Sequence, residues 1–280
     1  MVFANSTIVF NFGMTYDLIR IHFFYESEEF LMKLGAQLYS VRNATKTPDD
    51  VRETFRRIKE IGYEVVQVSG MGPIEPERLR DISAEFALPI TCTHSPLDRI
   101  VNDTEKLIAE HKLYGSPVIG VGSMPPEYRE SIEGVRAFIE LTREAEKKIR
   151  DAGLTFTYHN HAFEFKDLGG TDAYELLIEE SKLNFIHDTY WSTFAGRDPL
   201  DYIARLEGRM TDVHFKDLSA AEGHPICACG NGTIDFVPII AACEKIGVIN
   251  AHVEQDNAPT FPDSFEQMAI SFAHLRPLMK

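Results

Sequence analysis

Chemistry-bearing side chains in this 280-residue chain gather at the ends of short apolar runs. They stand in Thr93-His94-Ser95, in Tyr158-His159-Asn160-His161 with Glu164 just beyond, and in His187-Asp188. The same pattern returns in His214-Phe215-Lys216-Asp217 and His252-Val253-Glu254-Gln255. Imidazole and carboxylate together suit Mn2+, Co2+, Fe2+, Ni2+ or Zn2+ better than Ca2+ or an all-oxygen Mg2+ site. They are also the usual carriers of protons in general acid–base catalysis. A single core histidine is commonly a satisfied hydrogen-bonding group. Several runs that each offer His, Asp or Glu at the same end point instead to one divalent-metal site.

The elements that must position these groups follow from periodicity. Short β-type runs are expected at 33–40, 64–69, 89–94, 118–122, 155–161, 184–188, 211–216 and 250–254. Amphipathic helices are expected between and after them, at about 48–61, 76–86, 103–114, 127–152, 171–181, 199–206, 235–246 and 263–275. Thr47-Pro48-Asp49-Asp50 places a cap, a proline and first-turn acids at one helix start, and Glu75-Pro76-Glu77 and Asp198-Pro199 read the same way. Gly62, Gly153 and Gly247 fall where helices must end. Eight alternating units specify parallel pairing through right-handed crossovers. The fold class is therefore α/β, a (β/α)8 TIM barrel, with an open doubly wound sheet as the runner-up. No Gly-x-Gly-x-x-Gly follows the first strand, so a dinucleotide fold lacks its fingerprint.

In such a barrel the active site lies at the C-terminal ends of the strands. Alternation sorts the side chains by face. Thr157, His159 and His161 share one face of strand five, Asp212, His214 and Lys216 one face of strand seven, and His252 and Glu254 one face of strand eight. Val213, Phe215 and Val253 are left for the helix layer, so the polar sets point inward. A buried inward charge is costly unless paired or metal-bound.

From Met32 onward the chain resembles the xylose isomerase-like TIM barrel superfamily, the sugar phosphate isomerase/epimerase group. The stretches that carry the resemblance are Leu34–Arg42, Tyr158–Phe165, Asp188–Trp191, Ala195–Pro199, Val213–Asp217 and His252–Asp256. It implies one divalent ion held from strands five to eight, usually by Glu, Asp, His and Glu. Asp188, His214 and Glu254 match, whereas His159 stands where the glutamate is common. The resemblance therefore does not by itself carry over a two-carboxylate epimerase mechanism, and Glu164 and His161 are the acid/base candidates. Glu254 is assigned to both metal and catalysis, and Lys216 to a developing oxyanion or a substrate hydroxyl. Gln37, Tyr39, His94, Trp191 and Gln255 are expected to shape the substrate pocket.

The implied activity is isomerisation or epimerisation of a sugar or keto-sugar through an enediolate. The alternatives are a metal-dependent lyase or dehydratase on keto-sugars, inositols or keto-glycosides, and a non-catalytic sugar-binding barrel. A repair nuclease of the same barrel type is disfavoured by charge: 28 Lys and Arg against 43 Asp and Glu give −15, which repels phosphate backbones. No membrane partner is expected, because no window holds the roughly 18 to 20 apolar residues a span needs. A small carbohydrate is the expected partner, with a homo-oligomer possible. The four cysteines at 92, 227, 229 and 243 lack the spacing of a zinc or redox cluster, which suggests free thiols in a reducing cytoplasm. Residues 1–31, aromatic-rich and without a signal-peptide n-region, are read as an N-terminal extension to a single domain at 32–280. A hairpin or helix plugging one end of the core is the alternative for that stretch.

Overall fold

A computed structural model describes residues 31–279. The expectation for the N-terminal extension thus lies outside the described residues, apart from Leu31.

Eight parallel strands close into a barrel: β1 (Lys33–Gln37), β2 (Val65–Val68), β3 (Ile90–His94), β4 (Val118–Val121), β5 (Thr155–His159), β6 (Asn184–Asp188), β7 (Asp212–Phe215) and β8 (Asn250–Val253). Closure is made by β8 against β1, with Lys33 opposite Asn250 and Ala36 opposite Val253. The crossover helices are α1 (Pro48–Ile61), α2 (Pro76–Glu85), α3 (Thr104–Tyr114), α4 (Ile132–Asp151), α5 (Ala173–Glu180), α6 (Pro199–Arg205) and α7 (Phe236–Lys245), with α8 (Ser264–Leu275) last. All eight expected strands and all eight expected helices are present, and the open-sheet alternative falls.

The alternation holds. Val213, Phe215 and Val253 belong to the apolar layer between barrel and helices, with Leu34, Ala36, Val66, Phe156 and Phe185. Burial of each such side chain contributes about 1.5–3 kcal/mol. Inside the barrel a separate small cluster of Cys92, Val118 and Ile186 fills part of the space. A register shift between Val66 and Gln67 leaves Thr91 without a partner in the β2–β3 ladder. Its hydroxyl lies 3.3 Å from His252 Nε2.

Local signals explain the boundaries. Thr47 and Asp50 form a reciprocal capping box on α1. Asp198 caps α6, but Glu75 makes no side-chain cap on α2, where Pro76 alone marks the start. Gly62 closes α1 at φ 118°, a conformation that side-chain-bearing residues avoid.

Six of the expected strands run one to three residues past their observed C-terminal ends. Gln37 Oε1 accepts the Tyr39 amide and turns the chain into a 3-10 segment, Leu38–Ala44. His161, Lys216 and Glu254 likewise lie past the strand ends, on the loops of the C-terminal face. Two short helices were not anticipated, Leu97–Asn102 and Thr189–Phe194. The second is capped by Asp188, whose Oδ1 accepts the Trp191 amide at 3.0 Å. A hairpin pairing Asp217–Leu218 with Ile226–Cys227 was also missed. The Asp217 carboxylate anchors it by accepting the amides of Leu218, Gly230, Gly232 and Ile234.

Candidate metal centre

The C-terminal ends of β5, β6, β7 and β8 bring His159, Asp188, His214 and Glu254 together, with one potential ligand atom from each within 4.8 Å of the others. His159 Nε2 lies 3.2 Å from Asp188 Oδ2 and 4.0 Å from Glu254 Oε2. His214 Nδ1 lies 3.7 Å from Asp188 Oδ2 and 3.1 Å from Glu254 Oε2. Ligands about 2.0–2.2 Å from a shared ion stand at separations of this order. All four residues are buried.

The surrounding hydrogen bonds fix which atoms face the centre. The Gly122 carbonyl can only accept, so at 3.0 Å it takes the Nδ1–H of His159 and leaves the Nε2 lone pair inward. Gln67 Oε1, 2.6 Å from His214 Nε2, does the same for the second ring and leaves Nδ1 inward. Asp188 Oδ1 is held by the Trp191 amide, which leaves Oδ2 for the centre. Such outer partners set the tautomer and orientation of metal-binding imidazoles. His214 Nδ1 and Glu254 Oε2 are fully buried and have no directed hydrogen bond. Buried polar atoms are normally satisfied, so this pair marks a place built for something else. The residues fit a divalent ion.

Lys216 enters the same cluster. Its ammonium is 2.8 Å from Glu254 Oε2, 3.1 Å from Asp188 Oδ2 and 3.2 Å from Asp256 Oδ1. Only the contact to Asp256, at 3.3 Å to Oδ2, has hydrogen-bond geometry. Burial opposes the charges on Asp188 and Glu254, yet Lys216 and the histidines hold both carboxyls well below the usual carboxylate range. The three carboxylates in turn outweigh burial at Lys216 and keep it an ammonium. Burial is the main cause that pushes His94 and His161 well below their ordinary values, so both are neutral at pH 7. His159 is lowered for the same reason, with the His214 ring adding to it. At His214 the lowering by burial is outweighed by Glu254 and Asp188, which raise the ring above its ordinary value.

Above this cluster opens a cavity of about 470 Å3, walled by Tyr39, His94, Gly122, His161 and Lys216 among others. Tyr39, His94, His161, Lys216 and Glu254 therefore stand where the sequence put them. Trp191, expected to shape the pocket, does not line the cavity but stands behind it, with its ring 5.2 Å from His161 and 5.3 Å from the Lys216 ammonium. Three further assignments need correction. Glu164 does not reach the cavity: it is fully buried, one oxygen accepts the Tyr158 hydroxyl at 2.5 Å and the other the His161 amide at 2.8 Å. Tyr158 lies on the helix side of β5, packed on Phe138 of α4, and it holds Glu164 there. Burial lifts this carboxyl to about 7. Gln255 also faces outward, toward Asn257 and Gln267. Gln37 is fully buried and caps its own turn rather than lining the cavity.

Three residues escaped the sequence reading. Asp256 lines the cavity beside Lys216, and burial raises its carboxyl to about 6. It continues the alternation of His252 and Glu254, which was a usable signal. Arg42 lies over the Tyr39 ring at 4.0 Å and donates to the Asp256 carbonyl, linking the loops that follow the first and last strands. Gln67 was visible as a lone polar residue in an apolar strand.

No protein-family model matches the chain. It is similar to the inosose dehydratase of Lacticaseibacillus casei, 27% identical over 135 residues, 41% of this chain and 45% of that enzyme. The match thus spans less than half the length of that curated relative. In structure it is similar to a sugar phosphate isomerase/epimerase from Parabacteroides distasonis, with TM-score 0.76 and 22% identity, covering 89% of this chain and 96% of that one. It is also similar to an L-ribulose 3-epimerase, with TM-score 0.70 and 16% identity, covering 89% and 94%. These likenesses show the shared fold, a closed (β/α)8 TIM barrel.

Proposed function

We propose that this chain is a divalent-metal-dependent enzyme that moves a proton next to the carbonyl of a sugar or keto-sugar, as an isomerase or epimerase working through an enediolate. The observation that carries this reading is the convergence of four oriented ligand atoms, two of them buried without a directed hydrogen bond, at one end of an open cavity. When bound, Mn2+, Co2+, Fe2+, Ni2+ or Zn2+ would supply Lewis acidity toward the carbonyl and its neighbouring hydroxyl.

The remaining work falls to the chain. His161, neutral and held between Phe163 and Trp191, has a buried Nδ1 with no partner and can accept the carbon-bound proton and return it. Lys216 donates hydrogen bonds toward the oxygen on which charge develops. Asp256 takes over the carboxylate role first assigned to Glu164, because it reaches the cavity and Glu164 does not. Tyr39 offers a face to the C–H side of a sugar ring, Trp191 backs His161 and Lys216, and His94 closes the pocket floor beside His159.

Similarity to an inosose dehydratase favours a second reading, elimination of water or an aglycone from the same enediolate. Incubation of metal-loaded protein with keto-sugars and 2-keto-inositols in heavy water tests both. Deuterium at the carbon next to the carbonyl supports isomerase or epimerase chemistry, and loss of water with a new ultraviolet band supports the lyase. Turnover with neither solvent deuterium next to the carbonyl nor loss of water or aglycone would overturn both.

A further inference from the structure

Lys216 is the one cation among the described residues that touches the ligand cluster, and it touches the wrong atoms for a bystander. Its ammonium lies against Glu254 Oε2 and Asp188 Oδ2, the same oxygens that converge with His159 Nε2 and His214 Nδ1. Those two contacts lack hydrogen-bond direction, and the directed bond runs to Asp256 on the cavity side. Lys216 is 1% exposed, so its charge has no solvent to turn to. Two buried carboxylates this close repel each other strongly unless a cation sits between them.

We infer that Lys216 is a built-in counter-ion that competes with a divalent ion for Asp188 and Glu254, and that Asp256 is the partner that receives its ammonium when the ion enters. This rests on the proposed metal site and adds a role for two residues outside the ligand set. Three consequences follow from charge alone. Without metal, the lysine holds the carboxylates in place and keeps the centre formed. With metal, its protons turn to Asp256 and the cavity, where a substrate oxygen would lie. Metal affinity is set lower than the four ligands would otherwise give.

The test compares wild type with Lys216→Met by chelator-competition titration with Mn2+ and Zn2+, and by thermal melts of metal-free and metal-loaded protein. The variant should bind either ion about tenfold or more tightly, the size usual for changes next to a ligand set. Its metal-free form should melt lower than wild type and gain more on loading. Lys216→Gln serves the same comparison if Lys216→Met does not fold. A cycle with Asp256→Asn separates competition from general Coulombic attraction. Removal of Asp256 should weaken binding when Lys216 is present and matter little when it is absent. Equal or weaker binding by the lysine variants would overturn the counter-ion role alone, and a wild type that binds neither ion would remove the metal-site reading with it.

Discussion

Gln67→Met removes the acceptor that orients His214 while nearly conserving side-chain volume, so little cavity is created. Gln67 is fully buried, and its Oε1 is 2.6 Å from His214 Nε2. Methionine leaves a buried N–H unpaired, at about 1–3 kcal/mol. It also frees the ring to rotate or change tautomer, so that Nδ1 no longer presents a fixed lone pair. Loss of such an outer partner weakens metal binding about 10–100-fold, or about 1.4–2.7 kcal/mol. Chelator competition reads the affinity, and denaturant unfolding of metal-free protein reads the stability. Both should fall. Wild-type affinity in Gln67→Met would refute the claim that this bond prepares His214 as a ligand.

Further outcomes follow from other residues. Asp188→Asn should lose metal yet keep much of the cap on the helix Thr189–Phe194, whereas Asp188→Ala loses both and melts lower by about 1 kcal/mol of stability, read by denaturant unfolding. Burial lowers His111 from 6.5 to about 4, so the unfolded chain takes up its proton first. Stability is then lost as pH falls from about 6.5 through about 4, by about 3 kcal/mol at 1.36 kcal/mol per pH unit, and His111→Gln should flatten that part of the pH–stability curve. Of the four cysteines only Cys227 is partly accessible, and burial raises its thiol to about 11. Ellman's reagent should find one slow thiol in native protein and four in denaturant.

The barrel was readable because each strand carries an apolar face for the helix layer and each helix a stop or start residue of known geometry. Val213, Phe215 and Val253 fixed the faces of β7 and β8, and with them the inward direction of His214 and Glu254. His159 followed from the same parity on β5, and Asp188 from its place at the end of β6 and from resemblance. The same parity runs on past the strand ends to His161, Lys216, Glu254 and Asp256, and the reading went wrong where it was not followed or where the chain had turned away. Glu164 lies past the end of β5, where a loop decides direction and the Tyr158 hydroxyl captures the side chain, whereas Gln255 follows the outward parity of Val253, a signal that was present and not used. Gln37 failed for a different reason: it is still in β1, but its amide is used to begin a turn. The Asp217-anchored hairpin rests on four backbone amides gathered from four separate positions, a contact set with no periodic signature.

Metal analysis by inductively coupled plasma mass spectrometry, on protein reconstituted with Mn2+, Co2+ and Zn2+ in turn and then freed of unbound ion, addresses the four-ligand centre most directly. About one equivalent per chain should be retained by wild type and none by Asp188→Ala. Wild-type protein that retains no ion, or an Asp188→Ala variant that retains a full equivalent, would contradict the assignment of His159, Asp188, His214 and Glu254 to a single metal site.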